Sequence, residues 1–125
     1  MITIDKKQMQ DINGVILLQF FEKIIAFLKE NLPEYVNGYP EFILNKFVKN
    51  GVFLAKKNEF NTEFGITLFV VFMFISAPNF FEYEKIKNIF KRYENDDDRI
   101  ELIGKILTEK DWNIIKKNYK DQYWD

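Results

Sequence analysis

The chain has 125 residues, with 18 Lys and Arg against 19 Asp and Glu, so its formal net charge is −1. Its length fits one domain, and we expect residues 1–125 to form a single helical unit. The absence of Cys and His excludes a disulfide framework, a thiolate nucleophile and the side chain that titrates near neutral pH unaided. The near-zero charge provides no overall basic field for nucleic acid.

Polar residues dominate the N-terminal segment, from Met1 to Asp11. A secretory signal needs a basic start, an apolar stretch and a small-residue cleavage site, and this polar segment does not match that pattern. We therefore expect the protein to act in the cytoplasm. Asp5 followed by Gln8 resembles a capping box and predicts a short helix over 6–12.

Apolar residues at helical spacing predict two long helices in the first half. From Val15 to Glu30 a narrow polar stripe leaves a wide apolar face, which is typical of a helix packed on more than one side, and Pro33 closes it. Pro40 suits the first turn of the next helix, whose apolar face runs from Ile43 to Ala55. Gly51 lies on that face, where a glycine favours a close helix crossing over a ligand contact.

Eighteen consecutive uncharged residues, from Phe64 to Phe81, reach the length at which a membrane helix becomes a candidate. The continuous apolar run, Leu68 to Ile75, is only about 12 Å long as a helix. We expect a buried helix, capped by Asn61 or Thr62 and ended by Pro78, and no stable membrane insertion. A membrane-associated segment and a buried strand are the alternatives.

Residues 82–125 hold 21 of the 37 charged side chains in about a third of the length. Their pattern predicts three amphipathic helices, over 82–93, 97–107 and 109–120. Thr108 followed by Asp111 predicts a capping box at the start of the last one. The whole pattern predicts an all-α fold, a compact bundle of five to six helices.

The densest charge feature is the acidic run from Glu94 to Asp98. A calcium loop needs a Gly at the sixth position and a Glu at the twelfth, and neither is present, so we predict no metal site. One interpretation is a helix start, with Asn95 or Asp96 as the cap. The other is an acidic docking patch for a basic partner protein. That patch comprises Glu94, Asp96, Asp97, Asp98 and Glu101.

Catalysis finds few candidates. Ser76 is the one serine, and without His its activation would need a lysine or carboxylate base. A small residue at the end of an apolar helix is its expected role. The five glycines are scattered singly, so no phosphate-binding loop is present. We predict no catalytic residue, no cofactor and a protein that is not an enzyme.

Basic pairs such as Lys56-Lys57 lie on solvated faces, so nucleic acid is not the expected partner, although a regulatory nucleic-acid binder is a remaining alternative.

The C-terminal segment carries Tyr119, Tyr123 and Trp124. Chain ends are usually poorly ordered, and aromatic residues are enriched at interface hot spots. These residues therefore either fold back on the core or bind a partner. Tyr123 and Trp124 are the candidate partner anchors.

A set of short motifs runs through residues 2–81: Ile2-Thr3-Ile4 with Gln8-Met9, Leu32-Pro33, Phe47-Val48-Lys49-Asn50-Gly51-Val52, Ala55-Lys56-Lys57, Asn61-Thr62-Glu63, Met73-Phe74 and Pro78-Asn79-Phe80. In these motifs the chain resembles the small proteins encoded beside secreted-effector and spike genes in bacterial type VI secretion islands. It departs from that pattern at Asn58-Glu59-Phe60, where the pattern has Tyr-Gly-Ile, and at Asn79-Phe80-Phe81, where it has Asp-Phe-Asp.

The resemblance implies a non-enzymatic accessory protein, either an immunity protein or an effector chaperone. As an immunity protein it would cover the active site of a cognate toxin. Asp96, Asp97 and Asp98 would then meet basic residues of the toxin. The sequence leaves the oligomeric state and the identity of the partner open.

Overall fold

The computed structural model describes residues 14–125, with side chains from residue 17 onward. This part of the chain contains seven α-helices and no strand, which confirms the all-α class. Six helices are predicted over the same residues, and the additional one is a single turn that begins at Pro33. The predicted helix over 6–12 lies outside the described residues.

The first three helices are α1 (Gly14–Asn31), α2 (Pro33–Val36) and α3 (Glu41–Lys57). Pro33 both ends α1 and starts α2, because its ring fixes φ and it has no N–H to donate within the first turn. Pro40 directly precedes α3, close to the predicted position.

Helix α4 (Glu63–Ile75) is formed by the apolar run. Of the two predicted caps, Thr62 takes the role, and its Oγ1 accepts a hydrogen bond from the Gly65 N–H at 2.9 Å. Ser76 ends the helix and donates its hydroxyl to the Phe72 carbonyl at 2.5 Å, which confirms its predicted place at a helix terminus. Among the described residues, no helix combines the length and apolar character needed to span a bilayer.

The charged third of the chain forms α5 (Glu84–Arg92), α6 (Asp96–Ile106) and α7 (Glu109–Lys117). Each lies within a few residues of its predicted range. Two short 3₁₀ turns, Phe80–Glu82 and Asp121–Trp124, precede α5 and end the chain.

Helices α3 and α4 cross closely at Gly51. A Cβ at this position would lie 3.0 Å from Cγ2 of Val70 and 3.2 Å from Sδ of Met73, both buried on α4. The glycine therefore allows the two backbones to approach, as its place on the apolar face predicts.

Phenylalanines form the centre of the core. Phe60, Phe69 and Phe80 are each at most 1% exposed. The rings of Phe60 and Phe69 meet edge to face with centroids 5.3 Å apart, and Phe69 meets Phe80 in the same way at 4.9 Å. Edge-to-face contacts place the positive ring edge on the negative ring face, so this high Phe content packs with directional contacts.

Candidate functional site

The first turn of α6 separates the acidic run into inward and outward side chains. Asn95 precedes the helix, and its Oδ1 accepts hydrogen bonds from the N–H groups of Asp97 at 2.8 Å and Asp98 at 3.2 Å. Asp97 and Asp98 are exposed, whereas Asp96 is only 5% exposed. Successive residues of a helix point about 100° apart, so one carboxylate of the three faces the protein.

Asp96 binds the N-terminus of α4. Its Oδ2 accepts hydrogen bonds from the Asn61 N–H at 3.0 Å, the Thr62 N–H at 2.8 Å and the Thr62 hydroxyl at 2.7 Å. A carboxylate at this position satisfies donors that lack a helical partner and lies at the positive end of the helix dipole. Asp96 therefore joins α6 to α4, and its carboxylate is directed away from solvent and from any docking partner.

Gly65 leaves the space that this carboxylate occupies. A Cβ at position 65 would lie 2.2 Å from Oδ2 and 2.7 Å from Cβ of Asp96. Any larger residue would displace the Asp96 side chain from the α4 N-terminus. The glycine in the first turn of α4 and the aspartate in the first turn of α6 therefore depend on each other.

Arg99, one turn further along α6, binds the opposite kind of helix end. It is 2% exposed, and its Nη1 donates to the Asn58 carbonyl at 2.8 Å and the Glu59 carbonyl at 3.2 Å, at the end of α3. Its Nη2 donates to the Phe90 carbonyl at 2.8 Å and its Nε to the Tyr93 carbonyl at 2.6 Å, at the end of α5. The guanidinium thus satisfies carbonyl oxygens at the negative ends of two helices.

The surroundings of Arg99 are aromatic and charged. Its Cζ lies 5.1 Å from the ring centroid of Phe60 and 5.2 Å from that of Phe90, which are cation–π distances. Burial lowers the pKa of Arg99, and the nearby carboxylate of Asp96 opposes that shift. Sequence reasoning did not identify Arg99. The available signal was its spacing, because Asp96, Arg99 and Ile103 share one face of α6 and all three are buried.

The remaining acidic residues form an exposed surface around the helix that Asp96 and Arg99 bind to its neighbours. Of these, Glu101 pairs with Lys105 at 2.7 Å, and this hydrogen bond lowers the pKa of Glu101. Glu63 and Phe64 precede Gly65 in the first turn of α4, and Phe64 is 60% exposed. The structure therefore adds these two residues to the predicted patch and removes Asp96. We call the result the acidic surface; it comprises Glu63, Phe64, Glu94, Asp97, Asp98 and Glu101.

The C-terminal aromatic residues fold back on the core. Trp124 is 4% exposed and stacks on Phe47, with ring centroids 4.4 Å apart and an interplanar angle of 18°. Its Nε1–H donates to the Tyr119 hydroxyl at 2.6 Å. Tyr123 is half-buried, and its hydroxyl donates to a carboxylate oxygen of Glu82. In this arrangement Trp124 is not presented to a partner, and Tyr123 is largely committed to the protein itself.

Asp111 is the other buried carboxylate among the described residues. It completes the predicted capping box, since its Oδ2 accepts from the Thr108 N–H at 2.8 Å and the Thr108 Oγ1 accepts from the Asp111 N–H at 3.3 Å. The Tyr83 hydroxyl donates to Oδ1 at 2.5 Å, and the Lys85 ammonium lies 3.0 Å from Oδ2. These donors, the Thr108 N–H foremost, hold the pKa of Asp111 well below its usual range. Asp111 is thus a charged cap that ties α7 to the segment around Tyr83.

The residues that the structure describes contain no candidate metal site. No group of three or more Asp, Glu, His or Cys side chains among them is placed to hold an ion. Comparison of the chain with protein-family models, with curated proteins and with solved structures finds no match.

Proposed function

We propose that this protein binds a cognate secreted toxin or effector through the acidic surface, most simply as a cytoplasmic immunity protein that covers the active site of the toxin. The observation that carries the proposal is the exposed pair Asp97 and Asp98. Both lie at the start of a helix that the buried Asp96 and Arg99 hold against the ends of three other helices.

An acidic surface on an anchored helix suits a basic partner. The backbone that carries Asp97 and Asp98 is held by Asp96 and Arg99, so less backbone freedom is lost on binding than for a mobile loop. The exposed carboxylates of Asp97 and Asp98, which form no ion pair within the described residues, also attract a basic surface over a distance of about 10 Å, which raises the association rate at low salt. Phe64, 60% exposed at the same end of the molecule, adds the apolar contact area that charge alone does not supply.

The resemblance to accessory proteins of type VI secretion islands supports the choice of a toxin or effector as the partner. The same resemblance includes effector chaperones, which would use the same surface. The two roles differ in one observable. Loss of an immunity protein removes self-protection, whereas loss of a chaperone lowers the amount or the secretion of the effector.

The decisive experiment co-expresses the protein with the product of the neighbouring gene. We expect that product to be toxic alone, to be harmless with this protein, and to co-purify with it. A harmless product, or the absence of a complex at low salt, would contradict the proposal.

Charge reversal tests the surface itself. Asp97→Lys with Asp98→Lys should slow association at least about tenfold and flatten its salt dependence. The matched control is Glu30→Lys with Glu34→Lys, which changes the net charge equally. These two exposed acids lie near the start of α3, a helix of 17 residues whose other end contacts Arg99, so they are about 25 Å away. Equal effects of the two pairs would show that net charge alone matters and that the acidic surface is not the docking site.

A further inference from the structure

A second surface, on the side of α3 opposite its contact with α4, carries large exposed apolar side chains among charged ones. Helices α1 and α3 line a groove of about 850 Å³ whose apolar residues include Leu18, Phe21, Ile25 and Phe42. Phe42 is 72% exposed and Leu18 is 55% exposed. Large apolar side chains with that much exposure, grouped along one groove, are typical of a surface that meets another protein. We call this groove the α1–α3 face.

The ion pair between Lys29 and Glu41, 2.7 Å long, shows the relative direction of the two helices. It joins the last turn of α1 to the first turn of α3, so the helices are antiparallel. Glu22 lies seven residues before Lys29, and Lys49 lies eight residues after Glu41. At 1.5 Å per residue these two side chains are therefore at nearly the same level, about 10–12 Å from the ion pair, one on each wall of the groove.

The charges of the α1–α3 face are balanced. Lys29 and Glu41 neutralise each other, and Lys46 pairs with Asp125 at 2.9 Å. Within the described part of the chain, Glu22 and Lys49 form no ion pair. Glu22 on one wall and Lys49 on the other lie at the same level. Together they favour neither a mainly acidic nor a mainly basic partner. They match a second copy of the same face.

We propose that the α1–α3 face is a self-association site, at which two copies form a two-fold symmetric dimer. The two-fold axis runs parallel to the helices, so that α1 of one protomer lies along α3 of the other. This arrangement brings Glu22 opposite Lys49 of the partner subunit twice. It also buries Leu18 and Phe42 between the two chains.

The expected dimer is weak. The groove spans Leu18 to Lys29 on α1, about 16 Å of helix, which gives less contact area than the roughly 800 Å² per partner of a stable complex. We therefore expect a dissociation constant on the order of 10⁻⁴ M. The proposal is independent of toxin binding, because the acidic surface lies at the end of α3 away from Glu41. A strictly monomeric protein would overturn the dimer and leave the proposed function unaffected.

Sedimentation of the full chain over a concentration series to about 1 mM tests the proposal. We expect a monomer–dimer equilibrium with a dissociation constant on the order of 10⁻⁴ M. Phe42→Glu and Leu18→Glu should each abolish the dimer without lowering the unfolding midpoint. Ile106→Glu is the matched control, since Ile106 is 45% exposed at the end of α6. A monomer at every concentration, or loss of the dimer in the control alone, would overturn the proposal. So would a large fall in the unfolding midpoint of Phe42→Glu, because it would show that the face is covered within a single chain.

A charge swap tests the orientation. Glu22→Lys and Lys49→Glu should each weaken the dimer about fivefold, since each replaces two attractive contacts by two repulsive ones. The double variant should recover the original affinity within about twofold, because the contacts are restored with their signs exchanged. Failure of the double variant to recover would contradict the arrangement of α1 along α3 of the partner subunit, and a contact with an unrelated helix would then be the better account of the face.

Discussion

Asp96 and Asp111 are two buried carboxylates that perform the same task over different distances along the chain. Each is 5% exposed, and each accepts hydrogen bonds from N–H groups at the start of a helix. Asp111 binds Thr108, three residues away, whereas Asp96 binds Asn61 and Thr62, more than thirty residues away. The first carboxylate caps its own helix and also accepts hydrogen bonds from Tyr83 and Lys85, which lie 28 and 26 residues away. Within the described chain, the second accepts hydrogen bonds only from the start of another helix, α4. The same chemical group therefore combines a local cap with tertiary contacts in one region and makes tertiary contacts alone in the other.

The variant with the largest expected effect on stability is Gly65→Ala. The added Cβ would lie 2.2 Å from the Asp96 carboxylate, so the carboxylate must leave the α4 N-terminus. We expect a loss of about 2–4 kcal/mol in the free energy of unfolding, from overpacking and from the broken hydrogen bonds, measured by urea denaturation.

Gly104→Ala is the matched control. A Cβ there meets nothing within 4 Å, and Gly104 lies inside α6. The free energy of unfolding of this variant should therefore rise by about 0.5–1 kcal/mol. Equal effects of the two variants would contradict the dependence of Asp96 on Gly65.

Asp96→Asn is the second test. The amide retains the shape of the carboxylate but loses its charge and one acceptor oxygen, so we expect a loss of about 1–3 kcal/mol in the free energy of unfolding. Asp97→Asn, one residue away and exposed, should change it by less than about 0.5 kcal/mol. If the two variants were equally stable, Asp96 would have no special role at the α4 N-terminus.

Glu59→Gly tests the same connection from its other side. Glu59 has φ 65°, in the left-handed region that glycine adopts without strain, and its carbonyl accepts a hydrogen bond from Arg99. We expect the variant to gain about 0.5–1 kcal/mol in thermal or urea unfolding, since the backbone bond to Arg99 is retained. A loss of stability would mean that the Glu59 side chain itself contributes to the connection.

The dependence of stability on acid pH tests the contribution of the Asp111 carboxylate. The folded-state pKa of Asp111 lies below its unfolded value of 3.8, so its contribution is complete above that pH and is lost as the pH falls through the folded pKa. Between the folded pKa and about pH 4 the unfolded chain binds up to about one more proton than the folded chain at this site. Asp111→Asn should therefore reduce the slope of stability against pH between about pH 2 and 4 by about one proton. An unchanged slope would contradict the lowered pKa.

Local motifs were predictable from the sequence because their partners are neighbours. Thr108 and Asp111 are three residues apart, and the Asn95 cap lies one residue before its helix. The spacing of apolar residues predicts the positions of the longer helices. The single turn of α2 has only four residues, too few for such spacing, and Pro33 by itself predicts the end of α1.

Long-range partners were not predictable in the same way. Asp96, Asp97 and Asp98 are chemically identical, and only the helical phase of Arg99 and Ile103 distinguishes the inward one. The partners of Asp96 and Arg99 depend on how three helix ends meet, which no local pattern encodes. For the same reason the sequence left open whether Trp124 folds back.

The docking of the C-terminal turn has a kinetic consequence. Trp124 packs on α3, and Asp125 pairs with Lys46 across 79 positions of the chain, so these contacts close the longest loop among those described here. The entropy cost of loop closure grows with the number of residues enclosed, and such contacts therefore form late, on a nearly folded protein. We expect weakening of this turn to accelerate unfolding while leaving the folding rate almost unchanged. We therefore expect the turn to affect the lifetime of the folded state more than the rate of folding.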